Sequence, residues 1–171
     1  MPQIDAFASD SLARLPDAVL SAVGDSEMPG LGEGPVNPQL TQILSAQTDI
    51  DWSDLTPHQQ ALSCSGLWLL AGDLDRSHSI SQDIGEAEGS FWHGIMHRRE
   101  GDFGNSKYWF RRVGSHPVLD SLAELTDGDY SDPYDFVDAC SRSVSSGGES
   151  AERCRLAQWI EWQALMAHCL G

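Results

Sequence analysis

Along most of this chain apolar residues recur at spacings of three and four, the period of an amphipathic helix. No stretch alternates with the period of two that a half-buried strand needs. The pattern predicts an all-α protein, with signals that strengthen toward the C-terminus. Residues 1–24 carry a weak stripe (Ile4, Phe7, Leu12, Leu15, Val19, Val23) that Pro16 interrupts. The Pro- and Gly-rich run DSEMPGLGEGPVNP reads as a linker or ordered loop, and residues 38–47 as a short helix with proline in its first turn. From residue 55 the start signals sharpen. Thr56, Pro57 and Gln59 come close to a capping box, and Leu62, Gly66, Leu69 and Leu70 form a stripe that ends at Gly72. Further helices are predicted over about 74–85, 89–100, 103–113, 117–125, 133–144 and 149–170. In the last of these, one row holds Cys154, Ala157, Ile160 or Glu161, Ala164 and His168. The chain divides into an acidic N-terminal segment, 1–54, partly helical and either wrapped on the body or flexible, and an all-α body, 55–171, in a single-domain arrangement.

Residues 65–85 repeat at a shift of 29 positions in residues 94–114. Gly72-Asp73 falls on Gly101-Asp102, Leu74 on Phe103, Ser77 on Ser106 and Ile84 on Val113. Each copy reads as two helices joined at a Gly-Asp turn, with glycine closing the first helix and aspartate capping the second. On Gly94, Gly101, Phe103, Ser106, Phe110 and Val113 the unit resembles a tetratricopeptide-type helical hairpin, and the fold expected from that likeness is a TPR-like repeat packed with C-terminal helices. The period is shorter than that family's usual ~34, and Ser81 departs from the pattern. The string HGIMHRREGDFGNSKYWFRRVG also resembles one from an uncharacterised group of bacterial and fungal proteins, a likeness that carries no function.

Charge narrows the partners. The net charge of −16, from 26 acids against 10 bases, opposes phosphate backbones and anionic membranes, so neither nucleic acid nor membrane is an expected partner. The N-terminus lacks the basic start of an export signal, and no apolar run approaches the length of a membrane span. The expected location is cytoplasmic, and Cys64, Cys140, Cys154 and Cys169 are expected as free thiols.

Against that acidic background residues 89–117 stand out, with five of the ten basic residues and three of the six histidines. The TPR likeness implies a concave groove lined by the first helix of each unit, which would place Phe91, Ile95, Arg98 and Arg99 on it. A binding or scaffold module follows, with a basic site for an acidic peptide or a small anionic ligand: Arg98, Arg99, Asn105, Lys107, Trp109, Arg111, Arg112 and His116. The bland alternative is internal pairing with the seven acids of residues 117–138. An enzyme is the competing function. His93, His97 and Glu100, spaced i, i+4, i+7, share one helix face and suit acid–base chemistry or metal ligation, completed by His78 or His116. The spacing is not that of a zinc-protease helix, and packing between helices is the preferred reading of both histidines. No cofactor and no metal ligand are assigned on sequence alone.

Overall fold

A computed structural model describes residues 3–46 and 49–171, which form ten α-helices and, among the described residues, no strand. The first two helices, α1 (Ala6–Leu12) and α2 (Asp17–Gly24), replace the single interrupted helix expected over residues 1–24. Pro16 takes the N-cap position of α2, since its ring has no place inside a helix. In α3 (Pro38–Ser45) the Asn37 side chain accepts from the Leu40 N–H at 2.9 Å. The expected end of this helix, Gln47, lies outside the described residues.

The body consists of α4 (Pro57–Ala71), α5 (Leu74–Ser81), α6 (Ala87–Glu100), α7 (Phe103–Val113), α8 (Pro117–Leu125), α9 (Pro133–Ser146) and α10 (Gly148–Leu170). Thr56 and Gln59 form the capping box of α4. The two Gly-Asp turns match. Gly72 and Gly101 close α4 and α6 with φ of 83° and 88°, a left-handed conformation that glycine adopts without steric cost. Asp73 and Asp102 then accept from the N–H groups of Arg76 and Asn105 at 3.0 and 3.1 Å. A serine ties each pair of helices at its middle, Ser65 Oγ donating to the Ser77 carbonyl and Ser106 Oγ to the Gly94 carbonyl.

The N-terminal segment wraps onto this body. Ala8, Leu12, Val19, Ala22, Val23 and Leu40 are fully buried in the same apolar core as α4, α6 and α10. Gln163 of α10 brackets Asp5, accepting from its N–H and donating to its carboxylate, both at 2.7 Å. The Arg14 guanidinium reaches the Asp54 and Leu170 carbonyls.

Helix α6 lies at the centre. Every residue from Gly89 to Arg99 is buried, so this helix has no solvent face from which to line a groove. Gly66 makes the close approach of α4 possible: a Cβ there would lie 2.6 Å from the Trp92 ring. Among the described residues no helix is long and apolar enough to cross a membrane.

Candidate functional site

The two arginines expected to receive an anion are instead structural. Arg98 is fully buried against α10, where it pairs with Glu161 and donates to Gln158 at 3.2 Å. The Phe136 ring lies 4.8 Å from its guanidinium. Burial works against its charge, but the Glu161 carboxylate outweighs burial and keeps Arg98 ionised. Arg99 turns the other way and donates to four main-chain carbonyls, those of Leu69, Gly32, Glu33 and Gly34. Burial and then the neighbouring Arg98 lower its proton affinity to about 10. The reading of Arg98 and Arg99 as groove residues is therefore corrected, and for these two so is internal pairing with residues 117–138, which Lys107 makes with Asp138. Their partners are a glutamate of the last helix and the carbonyls of the Gly-rich loop.

The remaining candidates disperse. Lys107 pairs with Asp138 at 2.7 Å. Arg111 and Arg112 are exposed at the end of α7, with the Arg112 guanidinium 5.2 Å from the Trp109 ring. His116 is buried and caps α8, its Nδ1 accepting from the Val118 N–H at 3.2 Å, so it does not join the basic site. The consecutive aromatics of α7 point three ways. Phe110 enters the core, Tyr108 is exposed, and Trp109 stacks on His93 with centroids 3.9 Å apart.

His93 and His97 do converge, and His78 of α5 completes the group. Each of the three offers a ring nitrogen within 4.8 Å of the others. The centroids of His78 and His93 are 4.5 Å apart, and those of His93 and His97 4.8 Å. His93 and His97 are buried, while His78 is half-buried at the edge.

The hydrogen bonds of this cluster orient its rings. Ser81 Oγ lies 3.3 Å from the His78 carbonyl and 3.1 Å from His93 Nδ1; when its hydrogen goes to the carbonyl, it accepts from His93 Nδ1–H. Glu100 accepts from His97 Nδ1–H at 2.5 Å, and the Asn105 amide donates to His97 Nε2 at 3.1 Å. His97 therefore carries its proton on Nδ1 and its lone pair on Nε2, and His93 adopts the same tautomer when Ser81 donates to the His78 carbonyl. Burial first, then the facing His97 and His78 rings, lower the His93 pKa to about 3, which keeps it neutral.

A second group joins Glu88 of α6, His116 and His168 of α10, again with candidate atoms within 4.8 Å of one another. Sequence reading missed Glu161, Gln158, Ser81, Glu88 and His168. Glu161 and His168 left a signal as polar members of the row with Cys154, Ala157 and Ala164, and Ser81 left one as a departure from the repeat pattern. No protein-family model, no curated protein and no solved structure matches the chain.

Proposed function

We propose that this chain is a small metal-dependent enzyme in which His78, His93 and His97 hold a divalent ion of the zinc class and leave one position for water or substrate. One observation carries the reading: His97 spends Nδ1–H on the Glu100 carboxylate and so offers Nε2, and beside it His93 has Nδ1 3.1 Å from Ser81 Oγ, which leaves its Nε2 to turn toward an ion. Ligand histidines in metalloproteins are oriented in this way, frequently by a carboxylate. Three imidazoles with one open position suit hydrolytic or hydration chemistry, because the ion turns bound water into hydroxide near neutral pH.

One ring nitrogen of each histidine lies within 4.8 Å of one from each of the others, against ~3.4 Å along the edge of a tetrahedral zinc site. Binding would require the three rings to draw closer and the Asn105 amide to leave His97 Nε2. The reading departs from the expectation of no cofactor. It keeps an anionic ligand class: Arg112 is exposed beside Trp109, which stacks on His93, and supplies positive charge at the edge of the cluster.

The test is metal content by mass spectrometry on untagged protein, followed by Zn²⁺ and Co²⁺ titration of the metal-free chain. One ion per chain is expected, lost in His78→Ala and His97→Ala and kept in His116→Ala. A folded chain that neither carries nor takes up either ion overturns the reading.

A further inference from the structure

The group around Glu88 differs chemically from the first, and a single hydrogen bond makes the difference. His116 Nδ1 accepts from the Val118 N–H, so it holds no proton and the neutral ring is protonated at Nε2. That nitrogen has no lone pair to give a metal unless the ring abandons its capping bond or loses its last proton. It needs an acceptor instead. The His116 ring is only 3% exposed, and Glu88 Oε1 lies 3.5 Å away, too far for a good hydrogen bond. The same carboxylate oxygen accepts from His168 Nε2 at 3.0 Å. Glu88 sits in the first turn of α6 and His168 in the last turn of α10, the ends at which the helix dipoles favour an anion and a cation. One carboxylate thus joins the start of α6, the start of α8 and the end of α10.

We propose that Glu88, His116 and His168 form a proton-operated latch, which holds the last turn of α10 on α6 and α8 at neutral pH and releases it on acidification. The charged groups facing His116 are Glu88 from α6, His168 from α10 and Asp120 from its own helix. A proton on His116 places a positive charge in a site with little solvent, beside the His168 ring. Burial and His168 hold His116 below its ordinary value of 6.5, outweighing the opposite pull of Glu88 and Asp120. The fold therefore prefers the neutral ring. Its contribution is complete above pH 6.5 and is lost as pH falls below that value. Burial tends to raise the Glu88 carboxyl. Its own main-chain N–H, the His168 hydrogen bond and the two imidazoles together outweigh burial and hold it below 4.5. Its contribution is complete above pH 4.5 and fades below, so the histidine stage opens first.

Release would reach α6. Cys169 and Leu170 are buried directly behind the latch, and the Cys169 thiol lies against Trp92, the residue before His93. The latch stands on its own geometry and does not depend on metal binding at the other cluster.

Hydrogen exchange of the full chain from pH 7.5 to 5.0, corrected for intrinsic rates, tests the latch. The segment 160–171 should lose ~10-fold of its protection while α4 keeps its own. His116→Asn keeps an oxygen to cap α8 but cannot titrate, and its profile should be flat over the same window. Glu88→Gln should already show the acid level of exchange at pH 7. His168→Gln, at a half-exposed position, serves as a second variant and should show a smaller acid loss than the parent chain. A flat parent profile, a parent-like His116→Asn, or loss of α4 protection together with residues 160–171 would each overturn the latch.

Discussion

The two histidine groups, His78–His93–His97 and Glu88–His116–His168, both lean on α6 and both bring three candidate ligand atoms within 4.8 Å. By proximity they are equivalent; by hydrogen bonding they are opposites. In the first, His97 Nδ1 donates to Glu100, so its Nε2 carries the lone pair, and His93 Nδ1 meets the Ser81 hydroxyl. In the second, His116 Nδ1 accepts from the main chain, and Nε2 faces Glu88 as a donor. The partner of one ring nitrogen decides whether an imidazole offers a lone pair or a proton. A clustering of histidines does not reveal which.

The comparison rests on α6 being a rigid common frame, and the largest expected effect comes from breaking that frame. Glu161→Ala leaves the Arg98 charge buried without its carboxylate, which should cost ~3–5 kcal/mol in chemical unfolding. Both histidine groups should fail together. Arg98→Met combined with Glu161→Leu removes the charge and its partner at once, and should recover most of the loss. Recovery would show that the ion pair positions the helix without being needed as a charge.

A smaller effect should separate the two groups. Glu100→Gln still accepts from His97 but withdraws the carboxylate behind the ring, and metal affinity should fall ~10–100-fold. Glu88→Gln should leave that affinity unchanged. Equal losses in the two variants, read by competition with a chelator, would mean that the groups are not chemically distinct.

Much of this frame was legible in the chain. Thr56 with Gln59 marked the start of α4, and the two Gly-Asp turns marked a pair of matching hairpins, because caps are local interactions. The spacing of His93, His97 and Glu100 placed them on one face for the same reason. The arginines were misread because their partners are not local. Glu161 is 63 residues from Arg98, and the acceptors of Arg99 are main-chain carbonyls, which have no residue signature. The TPR likeness also implied an open first helix, whereas α10 and the N-terminal loop cover α6. Ser81 departs from the repeat pattern, but it sits among other polar residues of α5 and nothing in the chain tied it to His93.

The smallest effect is expected at the outer edge of the second group. The His168 side chain is 35% exposed and its bond to Glu88 meets solvent, so His168→Gln should change stability at pH 7.5 by only ~0–1 kcal/mol. Glutamine can still donate to the carboxylate, which keeps the loss small. Metal affinity at the first group should not move, because none of its rings contacts His168. The variant does remove the imidazole facing His116, so the gap in stability between parent and variant should change as pH falls from 7.5 to 5.0. Urea unfolding at both pH values measures it. An unchanging gap would mean that His168 touches Glu88 only as a surface contact, and that His116 titrates without sensing α10.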